Sequence, residues 1–222
     1  MQRTGRHPMQ IYLETASPDE VREAMAWRIV DGVFTDPGLL ARSGQESTEL
    51  ILELIELVPG PVAVEVTASA TDEIIEEAIT LAALHERVLV RVPCVPAGIP
   101  AIAALSEQRI AVDASLCFSV PQALLAAKAG ASLVSPQIQT MDDAGGDGLM
   151  LVSSIMTMLD QFDLKSGVIA GSLRTVGHMA EVARMGTDGA AISLALLREL
   201  AEHPLSESVR MERLDQWRRA QN

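Results

Sequence analysis

The chain has 222 residues, enough for one large domain, and is 48% apolar and 21% charged, which excludes wholesale disorder. Seventeen Lys and Arg against thirty Asp and Glu give a net charge of −13, a field that repels nucleic acid and anionic membranes. The two cysteines, Cys94 and Cys117, are too few for a disulfide framework or a zinc cluster. No apolar run is long enough to span a membrane, so a cytoplasmic, reducing location is expected.

Residues 1–9 carry charge with no apolar stretch behind them and read as a loose arm, with Met9 an alternative start. From there the chain alternates short β-branched runs with Ala/Leu/Glu-rich stretches. Strands are expected at 10–14, 32–34, 62–66, 88–92, 110–113, 132–134, 168–170 and 189–192. They lack strict polar alternation, as strands covered on both faces do. Helices are expected at 18–28, 46–58, 71–85, 97–107, 121–128, 149–162, 176–185 and 193–202. The first opens on Ser17, Pro18 and Glu20, a capping box, and the third on a Thr71 cap followed by Asp72 and Glu73. A polar, amphipathic stretch at 206–219 follows.

Eight strand–helix units in this length predict an α/β fold, a (β/α)8 TIM barrel over 10–205 with an additional C-terminal helix over 206–222. A doubly wound sheet is disfavoured, because Gly145, Gly146 and Gly148 precede a helix rather than follow the first strand. Barrel sites form at the C-terminal strand ends. Those ends carry Glu14, Asp36, Glu65, Arg91, Ser115, Gln137, Ser172 and Ser193. Carboxylates crowded around one guanidinium raise at least one carboxylate pKa, a usable acid–base arrangement. Asp36 and Ser193 read equally well as helix caps.

The segments Ile11-Tyr12-Leu13-Glu14-Thr15, Gly32 through Pro37, Val90-Arg91-Val92-Pro93, Ala129-Gly130-Ala131, Asp142 through Gly148, Ala170 through Thr175 and Asp215-Gln216-Trp217 occur in order. Together they resemble the transaldolase family, in its small fructose-6-phosphate aldolase-like branch. The resemblance implies a Schiff-base lysine on strand four, a strand-one carboxylate for proton transfer, an Asn after strand two, and a Gln, a Thr and a Tyr around a catalytic water. On this chain those positions are Arg91, Glu14, Asp36, Glu65, Ser115 and Gln137. Phe34 and Thr35 of the strand-two turn join the substrate contacts. Ser172 and Arg174 match phosphate-binding positions, while Thr140 stands where a phosphate-binding Arg is expected.

Arg stays protonated and cannot form an imine. Lys128 and Lys165, the only lysines, fall away from the strand ends. The expectation is therefore a barrel with Glu14, Asp36, Glu65 and Arg91 as catalytic groups, acting by acid–base chemistry on a small sugar, polyol or sugar-phosphate-like carbonyl compound. The alternatives are a non-catalytic ligand- or partner-binding relative and an ordinary transaldolase or aldolase. No cofactor is implied. A divalent ion on the carboxylates is disfavoured by Arg91, which is expected to pair with Glu14 or Glu65. Cys117 could line the pocket but reads better as a buried small residue, and the histidines read as surface groups. The resemblance also implies a homo-oligomer, a pentamer or decamer assembled through the C-terminal helix, with a small molecule as substrate and neither nucleic acid nor membrane as partner.

Overall fold

A computed structural model describes residues 8–221, so all but the last two residues of the expected arm, and His7 with them, lie outside the described residues. The elements run β1 (Gln10–Glu14), α1 (Pro18–Met25), β2 (Gly32–Phe34), α2 (Pro37–Ser43), α3 (Ser47–Leu57), β3 (Val62–Glu65), α4 (Thr71–Leu84) and β4 (Val88–Pro93). They continue α5 (Gly98–Glu107), β5 (Val112–Cys117), α6 (Val120–Lys128), β6 (Leu133–Pro136), α7 (Ile138–Asp143), α8 (Gly148–Gln161), β7 (Gly167–Ala170), α9 (Val176–Met185), β8 (Gly189–Ile192), α10 (Leu194–Ala201) and α11 (Pro204–Ala220). The eight strands are parallel in chain order, and β1 pairs with β8 to close the barrel.

Closure sorts side chains by strand parity. Tyr12, Phe34, Ala63, Leu89, Ile169 and Ala191 form one small apolar cluster, separated by the sheet from the main core. That cluster fills the barrel interior, with Tyr12 and Phe34 rings 4.5 Å apart. The intervening residues, such as Leu13, Val33, Val64 and Val90, face outward into the larger core shared with the helices. This is why the strands read as apolar runs: both faces are buried, one inside the barrel and one beneath the helices.

Local differences from expectation have local causes. β5 runs two residues later than expected and extends to Cys117. Its Asp-Ala-Ser centre is polar on the inner face, so an apolar-run criterion stops short. Leu116 adopts φ 49°, and the register with β6 shifts between Ala114 and Cys117, a bulge at the strand's C-terminal end. α2 and α7 are short helices not anticipated from the pattern. α2 is built by the Asp36 cap, Pro37 in its first turn and Gly44 at φ 70° past its end.

The capping box of α1 is half formed. Ser17 Oγ accepts from the Glu20 amide, but the Glu20 carboxylate accepts the Thr15 hydroxyl at 2.5 Å instead of reaching back to Ser17. The expected Thr71 cap is absent: Thr71 lies inside α4 and donates its hydroxyl to the Ala97 carbonyl. α11 begins at Pro204 and buries none of its residues, leaving Leu205, Val209, Met211 and Trp217 exposed. Among the described residues no helix is long and apolar enough to cross a membrane.

Candidate active site

The parallel register sets the site. Glu65 on β3, Arg91 on β4 and Asp113 on β5 are register partners in turn, so all three face the barrel interior and form a polar level that descends from β3 to β5 with the stagger of the tilted strands. Ser115 lies two residues beyond Asp113 on the same face. This polar level sits at the C-terminal side of the apolar floor made by Tyr12, Phe34 and Leu89.

Arg91 is 6% exposed and held on three sides. Its Nε donates to Asp113 Oδ2 at 2.9 Å, and Nη1 donates to the Thr35 carbonyl at 3.0 Å. The guanidinium carbon lies 4.8 Å from the centroid of the Phe34 ring, a cation–π stack. Asp113 is fully buried, and its other oxygen accepts the Ser135 hydroxyl at 2.7 Å. Burial works against the Arg91 charge, but Asp113, then Glu65 and Glu14, outweigh it and hold the guanidinium more firmly protonated than usual.

The partner of Arg91 differs from the one expected from the sequence. Glu14 and Glu65 are not its ion-pair partners; Asp113 is. Asp113 and Ser135 were not among the sequence candidates. The signal that could have found them is the inward parity of Asp113 and Ser115 on one strand, which becomes visible only once the strand is extended past Asp113.

Glu14 and Glu65 remain close to Arg91 without bonding to it. Burial raises both carboxyl pKa values, the Arg91 charge partly offsets the rise, and Asp36 adds to it. Asp113 also pushes Glu65 up, whereas a contact with Ser115 draws it down. That contact is not a formed hydrogen bond: Ser115 Oγ is fully buried and has no partner of good geometry. The Arg91 guanidinium therefore feels three carboxyl groups, Asp113, Glu65 and Glu14, and Asp36 adds negative charge beside the two glutamates. The raised pKa values shift Glu14 and Glu65 toward their neutral forms, which eases the crowding of negative charge and suits both carboxyls to proton exchange within the apolar barrel.

The remaining candidates lie further out. Asp36 is half-buried and caps α2, with Oδ1 accepting from the Leu39 amide at 2.8 Å. Thr35 is fully buried and gives its hydroxyl to the Ala63 carbonyl, so its contribution to the site is the carbonyl that holds Arg91. Phe34, 2% exposed, forms the floor beneath the guanidinium. The Gln137 side chain folds over Gly171, where a Cβ would come within 2.6 Å of its Nε2.

Ser172 is half-buried at φ 56°, and its carbonyl accepts from the Gln139 amide. Arg174 stands at the periphery, bound through both terminal nitrogens to Asp143 at 3.1 and 2.9 Å. Asp142 links the same loops, accepting from the Gly148 amide and facing His178 at 3.5 Å. Ser193 caps α10. Cys94 and Cys117 are both buried free thiols. Among the described residues, no three His, Cys, Asp or Glu side chains gather closely enough to hold a metal ion.

Two lysines occur in the chain. Lys128 ends α6, and Lys165 immediately precedes β7, so both stand at the N-terminal face of the barrel, opposite the site. Lys165 pairs there with Asp163 at 2.5 Å.

Comparison with known proteins agrees with this architecture. Two solved structures share the fold: one titled "Native KDPGal structure" (TM-score 0.57, 18% identity, 87% of this chain and 85% of that one) and the inosine 5′ monophosphate dehydrogenase of Legionella pneumophila (TM-score 0.60, 13% identity, 84% and 58%). At that identity they speak to the fold alone. Closer relatives are named "Probable transaldolase": one from Kosmotoga olearia is 41% identical over 209 residues, covering 94% of this chain and 96% of its own. Another, from Leptospira biflexa, is 39% identical over 200 residues, covering 90% and 94%. The family model described as Transaldolase/Fructose-6-phosphate aldolase matches residues 11–222. With a closed eight-stranded barrel, a polar level at its C-terminal end and this extent of match, the chain belongs to the transaldolase/fructose-6-phosphate aldolase family.

Proposed function

We propose that this barrel acts on a small sugar, polyol or sugar-phosphate-like carbonyl compound by acid–base chemistry and not through a lysine imine. The observation that carries the reading is the Arg91–Asp113 pair on β4 and β5, flanked by two carboxyl groups whose pKa values are raised. Arg91 occupies the position that the family resemblance assigns to the Schiff-base lysine, and a guanidinium supplies no neutral amine. The two lysines at the opposite face support the same reading. In this mechanism Arg91 polarises a carbonyl, while Glu14 and Glu65 exchange protons with the carbon or oxygen beside it. Lyase, isomerase and transferase outcomes all use that step.

Two specific observations favour other readings. Arg91 is locked between Asp113 and Phe34, and Arg174 is closed onto Asp143, as in a relative that has given up catalysis and binds a ligand or a partner. The names of the relatives favour an ordinary transaldolase. Borohydride reduction in the presence of fructose 6-phosphate, followed by intact-mass measurement, separates these. The expected result is no adduct on the native chain and an adduct on Arg91→Lys. An adduct on the native chain supports ordinary imine chemistry and overturns the proposal. Turnover or ligand binding lost in Glu65→Gln supports the acid–base role; unchanged behaviour in that variant favours the non-catalytic reading. We further propose that α11, none of whose residues is buried, packs on a second copy of the chain to build a homo-oligomer, a pentamer or decamer by the family resemblance.

A further inference from the structure

The charges in the barrel mouth are unevenly shared. Arg91, the single guanidinium there among the described residues, is taken by Asp113 at 2.9 Å. Glu14 on β1 and Glu65 on β3 both lie near it, and neither has an ion-pair partner among the described residues. Asp36, beyond β2, adds a further negative charge acting on both. The strands that complete the wall bring Ser135 and Gln137 from β6 and its loop and Ser172 after β7, none of them charged. The site is therefore short of positive charge on the side that faces away from Asp113.

A second, independent feature points to an absent ligand. Ser115 Oγ is 0% exposed, faces the Glu65 carboxyl, and is without a hydrogen-bond partner among the described residues. A buried hydroxyl left unmatched costs stability. It is accounted for when a bound molecule supplies the missing donor or acceptor.

The chemistry of that molecule follows from what the site offers. A phosphate meets the surplus carboxyls, and the peripheral cation Arg174 is already engaged by Asp143. A bare divalent ion needs several oxygens gathered at short range, and no such cluster exists among the described residues. A primary ammonium has three donors on a compact centre and can bond carboxyls that stand apart from one another.

We propose that the barrel mouth binds a small hydroxylated primary amine, an amino alcohol or amino sugar, with its ammonium between Glu14 and Glu65 and a neighbouring hydroxyl on Ser115. The proposal rests on the preceding reading that the barrel mouth is an open, working site, and it names the class of ligand. On binding, the ammonium favours the ionised forms of Glu14 and Glu65, so any proton that either carboxyl holds goes to the buffer. Arg91 keeps its bond to Asp113 and offers its outer edge to a ligand oxygen.

The test is isothermal titration of the full-length protein with three probes of one carbon skeleton: glucamine, sorbitol and sorbitol 6-phosphate. Each is run near neutral pH in two buffers of different ionisation enthalpy. Glucamine should bind about ten- to a hundredfold more tightly than sorbitol, the range of a hydrogen bond to a charged group. Any proton release should accompany glucamine and not sorbitol. Glu65→Gln and Glu14→Gln should each reduce the preference for glucamine. Equal affinities for glucamine and sorbitol overturn the proposal, as does tighter binding of sorbitol 6-phosphate. A preference for glucamine that survives in both variants places the amine elsewhere and also overturns it. If sorbitol or its phosphate binds without any gain for the amine, the ligand class fails but the open site stands. If none of the three binds, the open-site reading fails with it.

Discussion

Removing Asp113 tests the physical heart of the site. Asp113→Ala deletes the acceptor of two buried bonds, from Arg91 Nε at 2.9 Å and Ser135 Oγ at 2.7 Å. It leaves a guanidinium that is 6% exposed without its bonded anion. Stripping one partner from a buried ion pair costs about 3–5 kcal/mol. Two neighbours soften the loss. Asp113 repels Glu65, so its removal makes Glu65 easier to ionise, and Glu65 and Glu14 already lie near Arg91. At pH 7 the loss should therefore fall near the lower end, about 3 kcal/mol. Near pH 4 both glutamates, with their raised pKa values, are neutral and cannot substitute, so the loss should approach about 5 kcal/mol. Against a total stability of about 5–15 kcal/mol for a domain, either value is easily read from urea unfolding. Replacing both partners, Arg91→Met with Asp113→Leu, should restore much of the stability, because no buried charge is then left alone. A loss below about 1 kcal/mol at both pH values, or a double variant no more stable than Asp113→Ala, would refute the reasoning.

The Glu65 carboxyl supplies a second prediction with a definite sign. Its folded pKa lies above its unfolded value of about 4.3, so its ionisation opposes folding. The benefit of the neutral form is complete below about pH 4 and is lost as pH rises through the folded pKa. Glu65→Gln should accordingly be more stable than the native chain at pH 8 and lose that advantage near pH 4, as followed by thermal melts across pH. An advantage that grows toward acid would show the carboxyl to be stabilised by ionisation. Glu77 on α4 accepts from the Thr67 and Ala68 amides and the Thr67 hydroxyl, and so clamps the loop that follows Glu65. Glu77→Ala should speed hydrogen exchange at those amides about tenfold or more, with little change elsewhere; unchanged exchange would mean that the clamp does not hold the loop. Removal of residues 204–222 should leave the barrel folded by circular dichroism yet reduce the mass measured by light scattering to that of a single chain, because α11 buries nothing within its own chain. A truncated form that keeps the native oligomeric mass would move the interface to another surface.

The barrel was legible from composition and pattern, because eight β-branched runs separated by helix-forming stretches leave few other ways to bury both faces of every strand. The C-terminal helix and the positions of Glu14, Glu65 and Arg91 near the strand ends were equally visible, since the carboxylates follow apolar runs and Arg91 interrupts one. β5 was not. Its Asp113 and Ser115 face a polar interior, so the strand that contributes the partner of Arg91 resembles a turn when it is read alone. Caps were partly local: Ser17 and Asp36 behave as their sequence neighbours dictate, but Thr71 answers to the Ala97 carbonyl across the fold. What only the tertiary structure decided was the choice among carboxylates. Sequence places Glu14, Asp36, Glu65 and Asp113 on separate strands or loops, and their distances to one guanidinium depend on how the closed sheet staggers those strands. Parallel register puts Asp113 directly beside Arg91 and leaves Glu14 and Glu65 close but unbonded. Burial then divides the charge, with one pair closed at the floor and two acids held back at the mouth.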